Sequence, residues 1–198
     1  MPNLTPIEDI IFSPGDLLKF SGSRWVSALI SLGTYSWPYF GASHVAIVGR
    51  LRGDPVLFES TTLTDLPDLV TKDPIKGVQC HEIANRVASY NGRIWHYPLT
   101  KVLDFTKRRE LGRCLWDHHG VAYDVLGALR SGGCLFSWLE SLMRVEDLNS
   151  IFCSELVAAA YRAVGLLDTD NVSRWSPNRI IRHQIKRGVV AKQGVRLK

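Results

Sequence analysis

The chain has 198 residues, 45% of them hydrophobic, with six Trp, six Tyr and seven Phe against 22% charged residues and a net charge of +5. A chain of this length and composition can bury a full core and fits one compact domain, residues 1–198, which excludes a disordered or low-complexity binding tail. Its basic residues are scattered apart from Lys107-Arg108-Arg109 and the stretch from Arg179 to Lys198, and none interleave with aromatics along one strand, so a solvated surface is expected and a nucleic-acid partner is not.

Met1 to Ser13 shows no basic start followed by an apolar run, and nowhere do about 18 apolar residues run together without charge. No signal peptide or membrane span is expected, which makes a cytoplasmic location the default. Pro14-Gly15-Asp16-Leu17-Leu18-Lys19-Phe20 reads as a turn entering a strand, and Val26, Leu29, Ile30 and Gly33 recur at helical spacing. After an aromatic loop, Tyr35 to Phe40, the β-branched run His44-Val45-Ala46-Ile47-Val48 predicts a strand. Arg52-Gly53-Asp54-Pro55 is turn chemistry, and Val56-Leu57-Phe58-Glu59 returns to close a hairpin. Further strands are expected at Gly77 to Ile83 and Arg93 to Tyr97. From Asp104 onward the spacing is helical: Leu111, Leu115 and His118 share one face, Leu135, Leu139 and Leu142 another, and Leu156, Val157, Ala160, Tyr161 and Val164 a third. Strands followed by helices predict an α+β domain, with helices packed on an antiparallel sheet or small barrel.

The four cysteines, Cys80, Cys114, Cys134 and Cys153, are widely spaced and form no C-x-x-C pair, which suggests free thiols and neither a zinc site nor a disulfide framework. Cys153 is singled out by its surroundings. Ser150-Ile151-Phe152-Cys153-Ser154-Glu155-Leu156-Val157 resembles a helix start, with Ser150 or Asn149 as N-cap and Cys153 in the first turn. There the helix dipole favours a thiolate over the ordinary thiol of pKa about 8.5, and the free N–H groups could hold an oxyanion. The alternative is a small apolar residue on a buried helix face, where free cysteines usually lie.

A base can be named. His44 opens an apolar strand and by alternation shares a face with Ala46 and Val48, while Glu59 lies on the returning strand, also in apolar company. A hairpin can place the two as cross-strand neighbours. A carboxylate bonded to one ring nitrogen would fix the tautomer and leave the other nitrogen to take a thiol proton. Taken singly, His44 is also explained as a satisfied structural residue and Glu59 as an exposed edge residue.

Pro14-Gly15-Asp16-Leu17-Leu18, Ser43-His44-Val45-Ala46-Ile47-Val48 and Phe152-Cys153-Ser154-Glu155-Leu156-Val157 together resemble the circularly permuted, NlpC-type papain-like hydrolases, YiiX-like proteins among them, over roughly Pro14 to Pro177. Histidine before cysteine is the order of the permuted branch. The resemblance implies Cys153 as nucleophile, His44 as base and Glu59 as third member of a triad. It also implies cleavage of an amide or ester through an acyl-enzyme, with a cell-wall peptide amide as the first candidate. Lipid acyl transfer or thioesterase chemistry at the same site, and a binding or structural module without turnover, stay open, as does oligomeric state.

No cofactor or metal is expected: adjacent His118 and His119 near Asp117 point apart on a helix and lack a third ligand. Glu155 lies about 200° around the helix from Cys153 and is expected to support the helix start. The segment containing Leu135, Phe136, Trp138, Leu139, Leu142 and Met143 could touch lipid or cover the site, so membrane contact stays open, and a second packed layer explains it more simply.

Overall fold

The computed structural model describes residues 5–22, 41–61, 65–121, 145–172 and 175–198, with backbone alone for 145–152. Pro14-Gly15 forms a turn in which Gly15 takes a φ of 97°, a conformation natural only to glycine, and strand β1 (Leu17–Gly22) follows. Asp16 is buried between turn and strand. Its carboxylate accepts from the Ser13 and Leu99 N–H groups at 2.9 and 2.8 Å and from His96 Nε2 at 2.8 Å, while the Tyr161 hydroxyl donates to the Gly15 carbonyl at 2.7 Å. The Pro-Gly-Asp motif is thus a structural tie.

Strands β2 (His44–Leu51) and β3 (Asp54–Thr61) form the expected hairpin, with Leu51 opposite Asp54. Arg52 and Gly53 have φ of 54° and 101°, so the connection is a two-residue turn with both φ positive, the kind whose twist matches its strands. Strand β4 (Gly77–Glu82) runs straight into a short helix, α1 (Ile83–Ser89), and β5 (Gly92–Tyr97) follows. Helix α2 (Phe105–His118) starts at Asp104, whose carboxylate caps the Lys107 N–H. Helix α3 (Val145–Ala163) carries Cys153. Helix α4 (Pro177–Lys186) has Ser176 as cap and Pro177 in its first turn, and β6 (Val195–Arg196) ends the chain. The described residues form an α+β fold of four helices and one open antiparallel sheet ordered β4-β3-β2-β1-β5-β6; it is a sheet, not a barrel. No helix among them is long and apolar enough to cross a membrane.

Both sheet faces are covered. Leu17, Val45, Ile47, Phe58, Cys80 and Tyr97 face α2, α3 and α4 and pack with Leu111, Leu115, Val157 and Tyr161. Leu18, Phe20, Ala46, Val48, Leu57 and Ile94 face α1 and the N-terminal segment. The expected apolar stripe of α3 is buried throughout.

One expectation is corrected. Helix α3 is already helical from Val145, upstream of Ser150, so Cys153 sits at least about two turns inside it. Backbone N–H groups there belong to the helix's own ladder, and neither a first-turn oxyanion cradle nor the dipole's positive end is available to the sulfur. Glu155, buried on this helix, therefore supports no helix start. The Val26 to Gly33 spacing, the Tyr35 to Phe40 loop, Cys134 and the Leu135 to Met143 segment lie outside the described residues.

Candidate active site

The hairpin register makes Glu59 a diagonal neighbour of His44 on the same sheet face, since Ile47 pairs with Phe58 and each step moves the partners apart by one. His44 Nε2–H donates to Glu59 Oε2 at 2.7 Å. Glu59 is no edge residue: β3 lies between β2 and β4, and its carboxylate is fully buried. With Nε2 engaged, Nδ1 is the ring nitrogen left to face the sulfur of Cys153, to which His44 is also hydrogen-bonded. His44 opens its strand, so its ring can bond Glu59 on one side of the sheet and still meet α3, which packs on the other. His44 thus links Glu59 and Cys153.

The electrostatics follow from burial and charge. Burial works to lower the His44 pKa, but the negative charge of Cys153, the hydrogen bonds to Cys153 and Glu59, and the Glu59 carboxylate outweigh it and raise it to about 9. Burial likewise opposes ionisation of Glu59, yet Arg86 and His44 hold its carboxyl well below the usual carboxylate range. Arg86 comes from α1, a helix the strand expectation at Gly77 to Ile83 did not foresee. Its guanidinium grips Glu59 through two donors, Nε to Oε1 and Nη2 to Oε2, the latter at 3.1 Å. It also lies over the rings of Phe20, at 5.0 Å, and Tyr90, at 5.4 Å. His81 approaches Glu59 Oε1 at 3.7 Å but donates instead to Gln79 Oε1, at 2.8 Å, and burial lowers its pKa.

Two other thiols are set against reactivity. Burial, aided by the nearby Asp68 carboxylate, pushes Cys80 up to about 12, and burial with Asp117 raises Cys114. His118 bonds the Cys114 carbonyl at 2.7 Å, and His119 pairs with Asp68 at 2.9 Å. Asp68 in turn accepts from the N–H groups of Val70, Thr71 and Cys80, so this is a structural knot that the sequence reading missed. Among the described residues no group of three His, Cys, Asp or Glu side chains is placed to hold a metal ion.

No family model matches the chain, and no curated protein does. Among solved structures it is similar to the metalloprotein YiiX of Escherichia coli O157:H7, a DUF1105 protein, at 19% identity and a TM-score of 0.47, over 76% of this chain and 64% of that one. The match thus spans less than two thirds of YiiX. At that identity and score it assigns no activity, substrate or residue role.

The segment entering His44 is fixed from far along the chain. Asn178, buried near the start of α4, accepts from the Ala42 N–H at 2.7 Å and donates to the Ala42 carbonyl at 3.3 Å. Ser154, beside the cysteine, donates from its hydroxyl to the Trp175 carbonyl just before α4. Helix α4 therefore holds both the histidine's approach and the cysteine's helix, a role that no local sequence signal reveals.

Proposed function

We propose that the protein is a cysteine hydrolase of the permuted papain-like type, cleaving an amide or ester through an acyl-enzyme. The observation that carries this is the position of His44, bonded on one side to Glu59 and on the other to Cys153. Cys153 attacks the carbonyl carbon as a thiolate, forming a C–S bond. As the C–N or C–O bond breaks, His44 gives its proton to the leaving amine or alkoxide. His44 then takes a proton from water, whose oxygen displaces the sulfur and releases the acid. Glu59 keeps the His44 ring oriented throughout, and Arg86 keeps Glu59 ionised. Histidine strand before cysteine helix is the chain order of the branch that the sequence resembles.

A thiol-directed acylating probe is expected to label the wild-type protein at one site, with Cys153→Ala abolishing labelling and His44→Ala slowing it by about 100-fold or more, the usual scale of base catalysis. Equal labelling of the Cys153→Ala variant removes the proposal. Muropeptide and acyl-ester substrates, compared side by side, separate peptide amidase from acyl-transfer chemistry, and turnover of neither by a protein whose Cys153 does not acylate identifies a non-catalytic module.

A further inference from the structure

Two large apolar side chains at the start of α2 stand in water: Val102 is 71% exposed and Phe105 74%. Single exposed apolar residues are ordinary, but these two belong to one short segment, which Leu103, buried in the core between them, holds in place. The same segment is tied to the turn after α4. The Thr100 hydroxyl donates to the Gly188 carbonyl at 2.6 Å, the Thr100 N–H to the Val189 carbonyl at 2.9 Å, and the Ala191 N–H to the Pro98 carbonyl at 2.9 Å. These bonds join two basic stretches that lie far apart in sequence. Lys101, Arg108 and Arg109 are exposed on one side of the junction, and Lys186 and Lys192 on the other. Arg108 and Arg109 stand one turn beyond Phe105, on its own helix face. Of the two acids in this segment, Glu110 stands about 140° around α2 from Phe105. The other, Asp104, holds the Lys107 N–H as the helix cap. On the α4 side the chain has no acidic residue from Asn171 to Lys198, so positive charge is in excess around the apolar pair.

We propose that this face docks on an anionic phospholipid surface, with Val102 and Phe105 entering the headgroup boundary and the surrounding lysines and arginines meeting the lipid phosphates and carboxylates. Cations alone suit any polyanion. The apolar pair favours a bilayer, because its acyl boundary takes Val102 and Phe105 out of water while its charged headgroups face the cations, whereas a nucleic-acid duplex offers charge without an apolar layer. Docking of this kind needs nothing of the hydrolase chemistry above.

The test is flotation of the full chain with phosphatidylcholine vesicles, with and without about one third phosphatidylserine. The wild type is expected to float with the anionic vesicles, to stay behind with the neutral ones, and to be released as added salt screens the charges. Val102→Ser combined with Phe105→Ser, at exposed positions where the fold has little at stake, is expected to lower the ratio of bound to free protein by about tenfold. Arg108→Gln and, independently, Lys186→Gln should lower it by about fivefold each, one from either side of the junction. Lys76→Gln, an equal loss of charge beside β4 at the opposite edge of the sheet, should leave the ratio at the wild-type value. Failure of the wild type to prefer anionic over neutral vesicles overturns the proposal, and so does an unchanged ratio in the double serine variant. A duplex oligonucleotide is run alongside, and its capture in place of the vesicles assigns the face to nucleic acid and overturns the proposal as well.

Discussion

Glu59 is fully buried and charged, an arrangement that costs several kcal/mol unless partners replace the lost water. Arg86 supplies two of its hydrogen bonds and His44 a third. Removing one partner of such a pair strands the other charge, so Arg86→Met is expected to lower unfolding stability by about 3–5 kcal/mol in denaturant titration. The same substitution should cost clearly less in a Glu59→Gln background; equal cost in both would show that the two residues do not act together. His44 and Glu59 were legible from sequence because each is a polar group inside an apolar strand. Lys19 carries the same signal within Leu17-Leu18-Lys19-Phe20. Arg86 carries none, since an arginine on a seven-residue helix reads as surface charge until the fold turns it inward.

Among elements, β2 is the one everything leans on, paired with β1 and β3 and covered by α3. Close packing there demands a glycine at position 49: an added Cβ would stand 2.7 Å from the Phe58 ring and 2.9 Å from Leu115 Cδ1. Gly49→Ala is therefore expected to destabilise the fold by about 1–3 kcal/mol, measured by thermal or urea unfolding. A neutral result would mean that α2 does not press on β2 as described. The long elements were legible because their period is sustained over many residues. Helix α1 follows β4 without a break, β6 has two residues, and neither is long enough to show a period. The start of α3 was misplaced because serine and asparagine mark caps and also occur inside helices, so Ser150 drew the boundary too late.

On the scale of the whole molecule, the fold brings the thiol of a late helix, an imidazole of an early strand, a carboxylate of the next strand and a guanidinium of a short helix into one connected line. Only the His44–Glu59 meeting lies within one hairpin and was legible in the sequence, while the supporting groups, Asn178 and Arg86, came only with the coordinates. The line has a pH signature. His44 is raised to about 9 in the folded state from an ordinary value of 6.5, so its share of stability is fully present below about 6.5 and is lost as pH rises through about 9. The most direct test is an NMR titration of the His44 ring in the wild type and in Cys153→Ala. The wild-type ring should remain protonated at pH 7.5 and titrate near 9, and the variant, having lost the sulfur's charge and hydrogen bond, should titrate distinctly lower. A wild-type ring that titrates near 6.5 and does not respond to loss of Cys153 would contradict the pairing on which the proposed chemistry stands.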